Sequence, residues 1–201
     1  MTDTLVFIGD SITDAGRRED PAGLGSGFVR RIAHALAAGG DPSHILNRGI
    51  GGDRAVDLRA RWADDVLALD PDVLTVYVGI NDTWRRYDDD DATSAEAFES
   101  DYRAVLAEVV ESSAPRLILV EPYVVPVSDD QRAWAEDLDP KRDVVARLAR
   151  EFDASLVPLH RIMNEAAVGA GPRALAWDGV HPTPAGDEVI AAAWLVAWRR
   201  A

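Results

Sequence analysis

The chain has 201 residues, 47% of them hydrophobic and 28% charged, with 35 acidic against 21 basic side chains and a formal net charge of −14. That charge disfavours nucleic acid and anionic lipid surfaces and fits neutral or cationic small-molecule ligands better. There is no cysteine, so disulfides and thiolate metal sites are excluded, and no apolar run reaches the length of a membrane span.

The length fits a single domain over residues 1–201 with a substantial core. Met1-Thr2-Asp3-Thr4 carries no basic region and leads straight into a strand-like run, so a cleaved signal peptide is not expected and the cytoplasm is the expected location. Leu5 to Ile8 is continuous and apolar, which suits a strand buried on both faces. Gly9-Asp10-Ser11 follows as a tight polar turn, placing Ser11 just past the strand's carboxyl end, where ligands sit in open α/β sheets. By itself such a serine reads equally as a turn or helix-capping residue.

Gly23-Leu24-Gly25-Ser26-Gly27 is a flexible connector, and Phe28, Ile32, Ala35 and Leu36 then recur at helical spacing up to Gly39-Gly40. A short strand is predicted at Ile45–Asn47. Gly49, Gly51 and Gly52 follow, with Asp53 as the expected cap of a helix through Val56, Leu58, Trp62, Val66 and Leu69 that Pro71 stops. Asp72–Val78 is the clearest strand, β-branched and aromatic, and it too ends at a glycine, Gly79. The tract Asp88–Asp91 lacks the alternating ligands and turn glycine of a calcium loop and reads as an exposed loop. Thr93-Ser94-Ala95-Glu96 has the pattern of a capping box, with Thr93 as cap, ahead of a helix through Phe98, Tyr102, Val105, Leu106, Val109 and Val110.

Arg116–Val120 is the fourth strand. A loop with Pro126, Asp129 and Asp130 leads to a helix through Val144, Val145, Leu148 and Phe152. Ser155–Val157 is a fifth, short strand. An irregular stretch with Gly169, Gly171 and Pro172 is expected next, and then Trp177-Asp178-Gly179-Val180-His181-Pro182. Thr183 caps the last helix, with Pro184 at its first position. Five strand–helix alternations without a repeat or a linker predict a parallel five-stranded sheet covered on both faces, wound as a flavodoxin-like three-layer α/β/α sandwich.

In that winding the loops after the strands share one rim, so Ser11, Gly51-Gly52 and Asn81 should converge there. Acyl transfer needs a nucleophile, a base, a group that orients the base, and donors for an oxyanion. Ser11 offers the hydroxyl. His181 stands three residues after Asp178 in a tight loop, close enough for the carboxylate to fix the imidazole tautomer. The other histidines, His34, His44 and His160, have no such partner. The Asn81 amide and the Gly52 N–H are candidate oxyanion donors, although a turn asparagine and a glycine required only for its backbone conformation explain each position equally well.

Gly9-Asp10-Ser11-Ile12, Asn47-x-Gly49-x-x-Gly52, Gly79-x-Asn81-Asp82 and Asp178-x-x-His181-Pro182 resemble, in order, the four sequence blocks of the SGNH (GDSL-type) hydrolases. The resemblance spans nearly the whole chain and implies a serine hydrolase without metal or other cofactor. It makes Ser11 the nucleophile, His181 the base and Asp178 its partner, with the Ser11 and Gly52 amides and the Asn81 side chain as the oxyanion hole. The larger α/β-hydrolase fold is disfavoured, since no Gly-x-Ser-x-Gly elbow is present.

Gly25-Ser26-Gly27-Phe28-Val29, Asp57-Leu58-Arg59-Ala60-Arg61-Trp62, Asn81-Asp82-Thr83-Trp84-Arg85 and Ala174-Leu175-Ala176-Trp177-Asp178 are further similar to intracellular acetylxylan esterases. That similarity implies an acetylated sugar as the small-molecule substrate. Trp84 and Trp177 flank Asn81 and Asp178 and are candidates for stacking on a sugar or for core packing. Arg54 is a candidate for crossing the site, and Asp10 is carried as a turn residue next to the substrate. The tryptophans leave room for a homo-oligomer. Two rival readings stay open: a broad short-chain esterase, thioesterase or lysophospholipase, and a non-catalytic flavodoxin-like module binding phosphate or flavin. The second has no phosphate-loop lysine to support it.

Overall fold

The computed structural model describes residues 2–199. Five strands, β1 (Thr4–Gly9), β2 (His44–Gly49), β3 (Val73–Tyr77), β4 (Arg116–Val120) and β5 (Ser155–Val157), form one parallel sheet in the order β2-β1-β3-β4-β5. The chain moves from β1 to β2 on one side, then crosses back to β3 on the other. The reversal opens a crevice at the carboxyl ends of β1 and β3, the place where doubly wound sheets bind ligands.

Alternation along each strand divides the core in two. Leu5, Phe7, Val73, Tyr77, Ile118 and Val120 face one helical layer: α2 (Phe28–Ala38), α8 (Leu159–Ala170) and α10 (Pro184–Arg199). Val6, Ile8, Leu74, Val76, Leu117 and Leu119 face the other: α3 (Ala55–Asp65), α5 (Ala95–Ser112) and α7 (Ala135–Glu151). Each of these fully buried side chains contributes roughly 1.5–3 kcal/mol. Thr75 is the polar interruption on the first face, and it accepts a 2.9 Å hydrogen bond from Trp194 Nε1. The shorter helices are α1 (Ser11–Asp14), α4 (Ile80–Asp88), α6 (Asp129–Ala133) and α9 (Pro172–Leu175).

Several local expectations change. Asp53 does not cap α3; Arg54 does, its N–H held by Asp57 Oδ2 at 2.9 Å, because Asp53 is drawn to Arg61 at 2.7 Å. That helix stops at Asp65, and Leu67–Leu69 forms a separate 3₁₀ turn. The cap of α5 is Ser94, whose Oγ accepts from Ala97 N at 3.2 Å, one residue beyond Thr93. Asp129 and Asp130 open α6 instead of lying in a loop. The stretch expected to be irregular holds α8, whose Leu159 and Met163 are buried against the sheet; its many small residues hid the helical period. Thr183 does cap α10, accepting from Gly186 N at 3.2 Å.

Candidate active site

Ser11 opens a one-turn helix directly after β1. Asp10 caps that helix, its Oδ1 accepting from Ile12 N at 3.0 Å. The first N–H of a helix has no partner within it, so the Ser11 amide is available to a ligand. Glycine at positions 9 and 49 is set by close approach rather than by φ. A Cβ on Gly9 would overlap Tyr77 O and lie 2.6 Å from Thr13 Oγ1; one on Gly49 would overlap Asp14 N and lie 2.6 Å from Thr13 C. Helix α1 is therefore seated on bare backbone. Asn47 ties it down, its Nδ2 donating to Thr13 O at 2.6 Å and Leu24 O at 2.9 Å.

Arg61, given no role by the sequence beyond its place in a motif, fastens the same corner. Its guanidinium donates to Gly9 O (3.1 Å), Arg48 O (2.8 Å), Asp53 (2.7 Å) and Asp65 (2.7 Å). One side chain thus joins the carboxyl end of β1, the end of β2 and the turn that carries Gly52. The pairing of a helical arginine with strand carbonyls has no sequence periodicity that would reveal it.

The loop before α10 brings the other groups. His181 Nε2 is 2.9 Å from Ser11 Oγ, and His181 Nδ1 is 2.7 Å from Asp178 Oδ2. Asp178 Oδ1 accepts from Val180 N at 2.9 Å and from His181 N at 2.7 Å, so the carboxylate and the ring are locked to one turn. Gly179 has φ +90°, and a Cβ there would lie 2.9 Å from Val125 O. Gln131 Nε2 donates to Asp178 O at 2.6 Å and Tyr123 OH to Val180 O at 2.6 Å, strapping the loop to the body of the protein. Neither Gln131 nor Tyr123 was legible as part of the site, since both act through backbone carbonyls.

Partial burial pushes the Asp178 carboxyl up, but the hydrogen bond to the His181 ring, the His181 and Val180 amides and the imidazole charge outweigh it and hold the group well below the usual carboxylate range. The same hydrogen bond raises the His181 pKa above its ordinary value, against the opposing effect of burial. The arrangement is a base of increased proton affinity in contact with a hydroxyl.

Asn81 sits in the first turn of α4, not in a loop, and is almost fully buried. One Nδ2–H donates to Asp53 O at 3.0 Å; an amide nitrogen carries two hydrogens, and the second is available. Gly52 (φ +88°) lies in the turn ahead of α3 rather than in its first turn. The adjacent Gly51 is beside the serine, since a Cβ on it would be 3.8 Å from Ser11 Cβ. The start of α4 is held from both sides. Asp82 Oδ2 accepts from Ala55 N at 3.2 Å. Lys141, the single lysine of the chain, is fully buried on α7 and binds Asp137, with Thr83 Oγ1 at 3.4 Å.

The four candidates for substrate contact separate. Asp10 is 0% exposed and does not face a ligand; its role is the cap beneath the serine, and burial pushes its pKa up to about 7. Arg54 is engaged by Asp91 at 2.8 Å and Asp57 at 3.6 Å. Trp84 packs between His181 (ring centroids 5.8 Å apart) and Trp134 (5.5 Å), so it walls the site from the core side. Trp177 is 61% exposed beside Asp178, which removes the core-packing reading for it.

A cleft of about 450 Å³ between Trp84, Tyr87, Asp88, Ser128, Gln131 and Trp134 adjoins the triad loop. A larger apolar groove where β5 meets α8 and α10 shares no residue with it. Among the described residues, no group of three or more His, Asp or Glu side chains is placed to hold a metal ion, and no helix is long and apolar enough to cross a membrane.

The fold and the serine–histidine–aspartate contact at its switch point define an SGNH-type hydrolase. Residues 7–189 match the GDSL-like Lipase/Acylhydrolase family. The chain is 36% identical over 201 aligned residues to an acetylxylan esterase of Geobacillus stearothermophilus, covering 95% of this chain and 91% of that one. The crystal structure of an acetylxylan esterase from that organism superposes with a TM-score of 0.89 at 33% identity, over 97% of this chain and 93% of the other. Catalytic mutants of that esterase, with TM-scores of 0.89 and identities of 32–33%, replace a serine, and an aspartate and a histidine three positions apart. The chain belongs to the GDSL-like lipase/acylhydrolase family, and it is a carboxylic ester hydrolase.

Proposed function

We propose that the protein removes O-acetyl groups from xylose units or xylo-oligosaccharides through an acyl-enzyme. The observation that carries the mechanism is the continuous contact Ser11 Oγ–His181 Nε2 (2.9 Å) and His181 Nδ1–Asp178 Oδ2 (2.7 Å). Ser11 Oγ attacks the ester carbonyl carbon while its proton passes to His181 Nε2. The carbonyl oxygen, now negative, is held by the Ser11 N–H, the Gly52 N–H and the second Nδ2–H of Asn81. As the tetrahedral species collapses, the sugar alcohol leaves with the proton from His181. Water, deprotonated by the same imidazole, then hydrolyses the acetyl-serine and releases acetate.

The acetyl-sugar substrate is supported by the relatives named above and by the order Trp177-Asp178-x-x-His181, which matches the serine esterase's aspartate and histidine spacing; a further variant of that esterase replaces the tryptophan next to its aspartate. An exposed indole at that position offers an apolar face to a sugar ring. The test is acetate release from acetylated xylo-oligosaccharides alongside acetyl, butyryl and octanoyl esters of one simple alcohol, with Ser11→Ala as control. Acetate release from the sugar and a falling rate with chain length are expected. A preference for the octanoyl ester would replace this reading with the lysophospholipase or broad esterase one.

A further inference from the structure

The acidic tract Asp88–Asp91 is exposed, yet two of its neighbours are arginines at the edge of the site. Arg85 Nη1 donates to Asp88 Oδ2 and Asp89 Oδ2, each at 3.0 Å. Arg54 Nη1 donates to Asp91 Oδ2 at 2.8 Å. The tract also folds back on Arg85 through its backbone, since Arg85 O accepts from Asp89 N at 3.2 Å and from Asp91 N at 2.9 Å. Arg85 follows Asn81 by four residues on α4, so both side chains lie on one face of the helix.

The other terminal nitrogen of Arg85 lies beside the Gly52 turn. A Cβ built on Gly52 would lie 3.8 Å from Arg85 Nη2. The guanidinium therefore rests against the turn that offers the Gly52 N–H, with Nη1 taken by the aspartates and Nη2 on the Gly52 side. About one-third of the side chain is exposed, enough for a ligand to reach it. A guanidinium is planar and always charged, so fixing one edge fixes the direction of the remaining donors. Adjacent oxygens of a polyol match such a fork.

We propose that Arg85 is a substrate-contacting residue whose Nη2 donates to hydroxyl oxygens of the sugar that carries the acetyl group, with Asp88 and Asp89 as positioning residues. This rests on the acetyl-sugar reading above. It gives the four-aspartate tract a function: the carboxylates hold the cation in place and cancel its charge, so recognition depends on hydrogen-bond direction rather than on attraction of anions.

The experiment compares kcat and KM of wild type, Arg85→Gln, Arg85→Lys and the double variant Asp88→Asn/Asp89→Asn on an acetylated xylo-oligosaccharide and on p-nitrophenyl acetate, whose leaving group has no aliphatic hydroxyl. Thermal melts verify that each variant folds. Loss of a charge-assisted hydrogen bond corresponds to about a 10–100-fold fall in the ratio of kcat/KM for the sugar to that for the aryl ester in Arg85→Gln, mostly through KM. Arg85→Lys recovers part of it, and the double variant shifts the ratio the same way by less. An unchanged ratio, whether both rates fall together or neither does, overturns the proposal. Wild type that cleaves p-nitrophenyl acetate but releases no acetate from the sugar overturns the acetyl-sugar reading itself, and that result is read before any variant is made.

Discussion

Replacing Asp178 by asparagine isolates the electrostatic part of the site with little change in shape. The asparagine Oδ1 can still accept from Val180 N and His181 N, at 2.9 Å and 2.7 Å in the native protein, so the turn is kept. Its Nδ2 then faces His181 Nδ1 where a carboxylate oxygen stood at 2.7 Å. A donor in that place makes Nδ1 the acceptor and puts the ring proton on Nε2, the nitrogen that must take the proton of Ser11. The base is occupied before the reaction begins. A carboxylate-to-amide change of this kind in a serine triad costs about 10⁴-fold in kcat, or roughly 5–6 kcal/mol of transition-state stabilisation.

The pH profile moves as well. Catalysis requires neutral imidazole, so the rate rises with pH through the His181 pKa, which Asp178 holds above the ordinary 6.5. The acid limb of native kcat/KM should therefore have its midpoint above 6.5, and in the variant the midpoint should fall. The assay is steady-state hydrolysis of an acetyl ester from pH 5 to 9, with a thermal melt to confirm folding. A kcat within tenfold of wild type and an unmoved acid limb would refute the assignment of Asp178.

Asn81→Ala removes one proposed oxyanion donor and should lower kcat by roughly 10²–10³-fold with a smaller effect on KM; wild-type turnover would take Asn81 out of the hole. Gly49→Ala places a methyl on the backbone of α1, where Thr13 C would be 2.6 Å away. Overpacking of about 1–3 kcal/mol should lower the melting temperature and, by shifting Ser11, reduce kcat; a variant with native values for both would show that α1 can move freely. Burial pushes the Asp82 carboxyl up to about 7. A raised pKa means that its contribution to stability is fully present below the unfolded value of 3.8 and is lost as pH rises through about 7. Asp82→Asn, which does not titrate, should therefore gain on wild type in unfolding free energy between pH 4 and 8, by up to roughly 4 kcal/mol, read as a growing difference in melting temperature; a constant difference across that range would show that Asp82 does not ionise on unfolding.

Strand bounds are legible in the local sequence, and helix positions less so. Strands such as Arg116–Val120 and Ser155–Val157 were found at their observed bounds, because a continuous apolar run between turn residues has few other uses. Helix α8 was missed, since its alanines and glycines carry little periodic contrast, and its buried Leu159 and Met163 acquire meaning only against the sheet. Helix α4 is hidden for a different reason: its buried first turn is polar, Asn81-Asp82-Thr83, and its hydrogen-bond partners Asp53 O, Ala55 N and Lys141 come from other elements.

By itself the sequence determined the α/β alternation and the family, and it nominated Ser11, Asp178 and His181 as the reacting groups, because short motifs record the chemistry a site requires residue by residue. Only the tertiary structure decided that Ser11 and His181, 170 positions apart, come within 2.9 Å. It also decided that Asp10 is sealed beneath the serine while Trp177 stands in solvent, and that the aspartate tract clamps Arg85 against the Gly52 turn. Those outcomes depend on strand order and on which carbonyls remain unpaired at the crevice between β1 and β3, quantities that no local pattern of residues carries.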